Sequence, residues 1–310
     1  MGQGTSRMTL EQLRIFVAVA ERQHVTQAAR AINLTQSATS AAIAALEGRY
    51  ATKLFHRIGR RIELTAAGRQ FLVEARAVLT RAAAAERVLA DLAGLKRGSL
   101  ALAASQTVAN YWLPPRMRRF RDLHPGIELS LAIGNSEQVA AWTRQGSVDL
   151  GFVEGAVADA ALAVRTVSED ELVLVVGGDH PWAGAAAEDH GPVGGDRLFA
   201  LRWVLREPGS GTRAMFEAAL RQAGLPPERL DVAMELPSNE AVRAAVESGA
   251  GATVTSRLVV ASSLRAGTLV QIPMTLPKRP FLVLRHKDRY ESGAERELLR
   301  LLEATSATGD

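Results

Sequence analysis

The 310-residue chain contains no cysteine, which excludes disulfides and thiolate metal sites. No apolar run approaches the ~18 residues of a membrane span. The opening MGQGTSRMTLEQLR lacks the apolar core of a signal peptide, so a cytoplasmic location is expected. The patterns HExxH, GxSxG and GxxxxGK[ST], which carry metal, acyl-transfer and nucleotide chemistry, are missing too. The six histidines (His24, His56, His124, His180, His190, His286) are scattered, and His124 and His180 precede proline, as loop punctuation does. Asp149 reads as structural, at the start of a strand. No catalytic site, metal or cofactor is therefore expected.

What is present is an uneven charge. Residues 1–97 hold 15 Lys and Arg against 7 Asp and Glu, a net of +8; residues 98–310 hold 22 against 26, a net of −4. A basic third on a mildly acidic body suggests a polyanion-binding module joined to something else. With 47% hydrophobic and 23% charged residues, the chain suits an ordinary globular protein of two or three domains.

In the basic third, Leu10, Leu13, Phe16, Val17 and Ala20 recur at helical spacing after a capping Thr9. A second helix fits 26–32, opened by Thr26. After an Asn33-Leu34 turn, Thr35 caps a third, LTQSATSAAIAALE (34–47), whose Ile43 and Leu46 are placed to bury. Its front carries Thr35, Gln36, Ser37, Thr39 and Ser40, mediocre helix formers that compete with the backbone for hydrogen bonds. Two short helices and a tight turn before a polar-fronted helix have the shape of a helix-turn-helix, whose second helix reads the DNA major groove. Gln can bond adenine in bidentate fashion, and Ser and Thr can bond several base edges. The plainer reading makes Thr35 a cap and the rest a solvated face. KLFHRIGRRIELT (53–65) then gives two alternating segments around Gly59-Arg60, placing Arg57, Arg60 and Arg61 on a wing that can meet phosphate. In the next helix, 66–94, Phe71, Ala75, Val78, Ala82, Ala85, Leu89 and Leu92 are spaced 4,3,4,3,4,3, a heptad-period seam that suits dimerisation. It leads to a hinge at 94–98. The alternative is a helix packed on its own domain.

These segments, LEQLRIFVAVAE, VTQAARAINLTQSATSAAIAALE, LFHR and ELTAAG, together resemble the DNA-binding half of LysR-type transcriptional regulators. The resemblance implies a winged helix-turn-helix (8–65), a linker and dimerisation helix (66–97) and an effector-binding domain (98–305). It also implies a homodimer assembling to a homotetramer on double-stranded DNA, with RNA polymerase as a further partner. Gln36, Ser37 and Ser40 fall at base-reading positions and Arg57 at a backbone-contacting one, with Thr26, Gln27, Thr35, Thr39, Arg60 and Arg61 completing the expected DNA set. Many members carry proline where this chain has Ser37.

Beyond residue 98, strands (99–104, 127–133, 148–155, then ELVLVVG, RWVLRE, DVAMEL, ATVTS, TLVQIP, FLVLRH) alternate with helices. The fold class expected is α/β: a parallel sheet covered on both faces, divided into two subdomains (about 98–167 with 269–305, and about 168–268) around a cleft, like a periplasmic binding protein. Four strand-to-helix junctions, ASQT (104–107), GNSE (134–137), EPGSGTR (207–213) and LPSNE (236–240), set short polar groups at positive helix ends, which hold anions. Each is also an ordinary N-cap. By resemblance to the family's effector domain, including the HPW loop at 180–182 and GNSEQV, the ligand residues are Ser105, Gln106, Thr107, Asn135, Ser210, Gly211 and Thr212, with Asn239 second. REPGSGTR and GNSEQV look most like the branch regulating sulfur assimilation and carbon fixation, implying sulfite or a phosphorylated or carboxylate metabolite. Arg206 or Arg213 can add positive charge, whereas Glu154 and Glu207 oppose an anion unless an arginine pairs with them. The competing function is a cytoplasmic small-anion binding protein whose basic N-terminus serves only oligomerisation; an enzyme using the cleft would lack any acid–base constellation.

Overall fold

The computed structural model describes residues 7–58, 61–92, 98–184 and 195–307. Two compact units result, Met1–Leu89 and Ala90–Asp310.

The first unit contains α1 (Leu10–Arg22), α2 (Val25–Ala31), α3 (Gln36–Tyr50), β1 (Phe55–Ile58), β2 (Arg61–Leu64) and most of α4 (Ala66–Leu92). Thr9 and Gln12 form a reciprocal capping box at α1, each side chain accepting the other's backbone N–H at 3.2 Å. The cap position of α2 is His24 rather than the expected Thr26, which lies inside the first turn. Asn33 takes φ 54°, the left-handed region its short polar side chain tolerates, and Thr35 then caps α3 by accepting from the Ala38 N–H at 3.2 Å. β1 and β2 pair antiparallel from Phe55↔Leu64 to Ile58↔Arg61. The expected Gly59-Arg60 turn lies outside the described residues, as does the 94–98 hinge apart from Gly98.

Leu13, Phe16, Leu46, Leu54 and Ala75 make the core of this unit, with Phe16 against Phe55 and Phe71 at ring distances of 5.4 and 4.8 Å. Burying such side chains contributes roughly 1.5–3 kcal/mol each. Phe71 and Ala75 are thereby committed to the chain's own core, and Ala75 is 1% exposed. Further along α4, Ala82 is half-buried, Ala85 is exposed, and Val78 and Leu89 are 44% and 68% exposed. The Leu92 side chain lies outside the described residues. The plain reading of the helix thus holds for its first turns and leaves a free apolar face beyond them.

The second unit runs β3 (Gly98–Ser105), a π-helical turn (Val108–Trp112), α5 (Leu113–Leu123), β4 (Ile127–Gly134), α6 (Ser136–Gln145), β5 (Leu150–Glu154), β6 (Leu162–Asp170), β7 (Leu172–Gly177), α7 (Gly195–Phe199), β8 (Arg202–Arg206), α8 (Gly211–Gln222), β9 (Asp231–Leu236), α9 (Asn239–Glu247), β10 (Ala252–Ser256), α10 (Arg257–Ala266), β11 (Leu269–Ile272), β12 (Arg279–His286) and α11 (Gly293–Ala307). Two five-stranded sheets form, in the orders β4-β3-β5-β12-β6 and β11-β7-β10-β8-β9. They are mixed rather than parallel. β12 runs antiparallel to β5 and β6, and β7 antiparallel to β10 and β11, while β3, β4 and β5 are parallel, as are β8, β9 and β10. The antiparallel strand of each sheet is the one that enters from the other sheet, without the crossover helix that parallel neighbours need. The crossings fall at Glu171 and between Ile272 and Arg279, so the expected boundaries at 167/168 and 268/269 each move by three residues or more.

Apolar side chains alternate along the strands and cover both faces. Leu100, Leu102, Phe152, Phe281 and Trp112 pack on one side of the first sheet, and Val139, Val153, Leu282 and Leu284 on the other. In the second, Leu174, Trp203 and Leu205 oppose Val173, Val175 and Val204. Asp149 exchanges hydrogen bonds with the Ala101 backbone, at 2.7 Å through its own N–H and 2.9 Å through its carboxylate, the structural role expected of it. Among the described residues no helix is long and apolar enough to cross a membrane, and no cluster of His, Cys, Asp and Glu is suited to a metal ion.

Candidate functional site

The front of α3 presents Thr35, Gln36 and Ser37 to solvent, with Ser40 half-buried behind them. Their side chains bond one another: Thr35 Oγ1 and Ser37 Oγ lie 3.0 Å apart, and Gln36 Nε2 donates to Ser40 Oγ at 3.0 Å. Exposed bonds of this kind contribute little net free energy and exchange readily for groups on a partner. Ala38 and Ala41 keep the same surface low. Thr39 does not belong to it. It is fully buried and its hydroxyl donates back to the Thr35 carbonyl at 3.0 Å, because it lies on the side of α3 that carries Ile43 and Leu46. Gln27 on α2 is exposed and Thr26 half-buried. Arg57 and Arg61 lie on β1 and β2, while their side chains, and Arg60, are outside the described residues.

One residue that holds this surface together was not foreseen. Glu47, buried in the last turn of α3, accepts from Lys53 Nζ at 2.7 Å and from the backbone N–H groups of Leu54 and Phe55 at 2.8 and 3.2 Å. Burial pushes its carboxyl up, but these hydrogen bonds and the Lys53 charge outweigh that and hold it below the usual carboxylate range. An acid at the negative end of a helix opposes the dipole, a signal readable in the sequence.

In the second unit the four polar junctions come together between the two sheets. ASQT ends β3, and GNSE starts α6, where Asn135 is a true cap, accepting from the Gln138 N–H at 3.0 Å. LPSNE starts α9, where Ser238 accepts from the Ala241 N–H at 3.3 Å. EPGSGTR starts α8. Here Ser210 occupies the cap position, yet its hydroxyl bonds no backbone N–H; it is 2% exposed and has no hydrogen-bond partner. A buried hydroxyl left unpaired costs free energy, so its presence calls for an explanation.

The junctions are tied across the cleft. Gln106 Nε2 donates to the Pro237 carbonyl at 2.7 Å while its Oε1 accepts from the Asn239 N–H at 2.9 Å. Asn239 Nδ2 donates to Thr107 Oγ1 at 3.0 Å. On the other lip, Asn135 Nδ2 donates to Glu207 Oε1 at 3.3 Å and the Glu137 N–H to the Gly209 carbonyl at 3.3 Å. Gly209 takes φ +86°, and a Cβ on Gly211 would overlap the Glu154 carbonyl and Ser136 Oγ, so only glycine allows this approach. Tyr111 adds a bond from its hydroxyl to Glu240 at 3.0 Å; burial first, then the Glu240 charge, push its phenol up to about 12.

Charge inside the cleft centres on two arginines. Arg279, which has no exposed surface, donates from Nε to Asp170 at 2.6 Å and from Nη1 to Thr212 Oγ1 at 2.8 Å, and lies 3.6 Å from Glu154. Glu154 also accepts from Ser105 Oγ. Arg279 and Asp170 are register partners on β12 and β6, so this pair fastens the two inter-sheet crossings to each other. Arg206, at the end of β8, donates from Nε and Nη2 to the two oxygens of Glu207 at 2.7 and 2.9 Å and from Nη1 to Asn239 Oδ1. Arg213 points elsewhere, held by Glu217 and Glu235 at 2.7 and 2.6 Å. Of the two arginines considered from the sequence, Arg206 is therefore the one in the cleft. Arg279 and Asp170 were missed, since nothing local marks them. The HPW segment is a turn: His180 Nδ1 accepts from the Trp182 N–H at 3.1 Å.

Comparison with known proteins gives matching assignments for both units. Residues 10–69 match the family described as bacterial regulatory helix-turn-helix protein, lysR family, and residues 93–307 match the LysR substrate binding domain. Over 294 residues the chain is 35% identical to the HTH-type transcriptional regulator YeiE of Escherichia coli (strain K12), covering 94% of this chain and 96% of that protein. It is 34% identical over 297 residues to the RuBisCO operon transcriptional regulator of Allochromatium vinosum, covering 94% and 95%. Among solved structures, full-length CbnR complexed with its target DNA superposes with a TM-score of 0.67 at 23% identity, covering 96% of this chain and 100% of that one. The regulatory domain of Synechocystis PCC6803 CcmR in complex with 2-PG superposes with a TM-score of 0.61 at 26% identity, covering 69% and 99%.

Proposed function

Since the chain belongs to the LysR family of bacterial transcriptional regulators, DNA-binding proteins with an effector-binding domain rather than enzymes, we propose that its cleft senses a small anionic metabolite and that this ligand biases how the chain engages DNA. The observation that carries the anion reading is Ser210, a buried cap-position hydroxyl without a partner at the N-terminus of α8, in the turn whose Ser210 N–H donates to the Glu207 carbonyl at 3.2 Å, just past Arg206 in the chain. A helix N-terminus with a free buried hydroxyl suits an oxyanion, and Arg206, which ends the preceding strand, supplies a guanidinium at the same strand-to-helix junction. CcmR, whose regulatory domain was solved with 2-PG, and the RuBisCO operon regulator support trying phosphorylated and carboxylate metabolites first, and the resemblance of REPGSGTR and GNSEQV adds sulfite. Ligand that prefers one arrangement of the cleft shifts the population toward it, and the coupling to DNA equals that difference in affinity.

On the DNA side, Gln36, Ser37 and Ser40 read bases while Thr35 and the hairpin arginines position the helix. A homodimer forms through the free face of α4 around Val78 and Leu89, and dimers pair into a tetramer on DNA. Val78→Glu with Leu89→Glu then shifts the sedimenting species toward monomer.

The test of the sensing role is a thermal-shift screen of the full chain against phosphate, sulfite and small carboxylates, beside Ser210→Ala. An anion at about 100 times its dissociation constant stabilises the folded chain by ~2.7 kcal/mol. A shift that vanishes in Ser210→Ala supports the site; a shift that survives unchanged removes it.

A further inference from the structure

The Arg206 guanidinium is 5% exposed and all three of its nitrogens donate to protein groups, two of them to the carboxylate of the very next residue, Glu207, which is 21% exposed. From this geometry we infer that Glu207 is a built-in competitor of the effector: its carboxylate fills the bidentate edge of Arg206 that an anion would use, and binding proceeds by exchange of one for the other. The inference rests on the anion-sensing reading and specifies how that site selects its ligand.

The two members of the pair are unequal. Arg206 is enclosed by β8 and Asn239 and cannot follow Glu207 into water, and an uncompensated buried guanidinium is strongly disfavoured. Glu207 sits at the lip of the cleft, where a side-chain rotation reaches solvent and full hydration. Only an anion that replaces the lost charge and both acceptors makes that rotation favourable. A two-oxygen edge, as on a carboxylate, a sulfite or a phosphate, matches the guanidinium; a single-atom halide does not. Ser210, whose N–H donates to the Glu207 carbonyl at 3.2 Å in the same turn, has a buried hydroxyl that Glu207 leaves unused.

The exchange also has a mechanical consequence. Glu207 Oε1 accepts from Asn135 Nδ2, at the other side of the cleft, and the neighbouring Pro208 carbonyl lies 3.5 Å from the same nitrogen. Moving Glu207 off Arg206 therefore breaks a bond between the lips, so ligand charge is read as a change in how the two subdomains are fastened. Formal charge in the cleft supports the same view: Glu154, Asp170 and Glu207 outnumber Arg206 and Arg279, so an added anion is accommodated best when one carboxylate leaves, and Glu207 is the most exposed of the three.

The experiment measures affinities of the full chain for sulfite, inorganic phosphate and malonate by calorimetry, in wild type, Glu207→Gln, Ser210→Ala and Glu137→Gln. Glu137 is an exposed carboxylate on the same rim that does not touch Arg206, and its variant reports the general effect of removing one negative charge. Expected is a gain of tenfold or more for Glu207→Gln in the anion that binds, against threefold or less for Glu137→Gln, and a loss of melting temperature in Glu207→Gln that the anion restores. Binding seen only in Glu207→Gln supports the inference equally. Anion binding that is lost in Ser210→Ala but unchanged or weaker in Glu207→Gln overturns the competitor role and leaves the anion site standing. Equal gains in both glutamine variants overturn it as well. No binding in any of the four proteins overturns the anion reading and this inference with it.

Discussion

At the front of α3, Gln36 and Ser37 lie in water and bond neighbours on their own helix or its cap, whereas in the cleft Thr107, Thr212 and Asn239 are buried and bond groups brought in from other strands and helices. The residue types are alike and the energetics are opposite. A surface that must meet a macromolecule keeps its polar groups cheap to release. A surface that must recognise something small holds them in a dry network where each unpaired atom is costly. Substitutions should therefore damage binding without folding at α3, and folding together with binding in the cleft.

The largest effect is expected at Arg279. Replacing it with Met leaves Asp170 and Glu154 buried without their cation, which costs about 3–5 kcal/mol. Urea unfolding of the full chain measures this, and Asp170→Asn in the Arg279→Met background should recover part of it. A loss under ~1 kcal/mol would mean that the pair is more hydrated than its burial shows.

Gln36→Ala should weaken binding by ~1–3 kcal/mol at the cognate DNA site while leaving the melting temperature in place. Arg57→Ala should instead weaken all DNA sequences together and flatten the salt dependence. If the two variants lose the same affinity on every sequence, α3 is gripping the backbone and the contrast between reading and positioning residues fails.

Glu47 is the exception that sharpens the comparison, since it brings cleft-like burial into the helix-turn-helix unit. Its folded carboxyl lies below its ordinary value of 4.5, so its contribution is complete above that pH and is lost as pH falls through the lowered folded value. Glu47→Gln should cost about 1–2 kcal/mol at neutral pH and make the first unit's melting less sensitive to acid. Melting followed by circular dichroism from pH 3 to 7 separates the two slopes; parallel slopes would mean that another carboxylate carries the acid response.

How much of this was legible beforehand follows the range over which each feature is encoded. The Thr9 and Thr35 caps, the Asn33 turn and the β1–β2 hairpin are local patterns and stand where the sequence places them. Thr39 departs from its expected place because a polar residue on a polar front gives no hint that its hydroxyl turns back to the Thr35 carbonyl. β6 has no matching sequence signal, since LAVRTVSED lacks a continuous apolar face and its central residues Arg165 and Thr166 are exposed. The antiparallel strands β7 and β12 depend on which sheet the chain enters, a property of topology rather than of any window of residues. The four junctions and their convergence at one cleft follow from the strand-helix alternation, whereas the Arg279–Asp170 pair that fastens the crossings joins residues 109 positions apart and has no local mark.

The smallest effect is the most discriminating. Ser238 and Ser210 occupy equivalent cap positions on α9 and α8, but Ser238 Oγ accepts a backbone N–H and Ser210 Oγ accepts none. Without ligand, Ser238→Ala should cost ~1 kcal/mol, the usual price of a lost cap. Ser210→Ala should change stability by less than ~0.5 kcal/mol or raise it slightly, because it removes a buried unpaired hydroxyl. Two equal losses would show that Ser210 has a cap-like partner in solution, and the case for reserving its hydroxyl for an anion would then be gone.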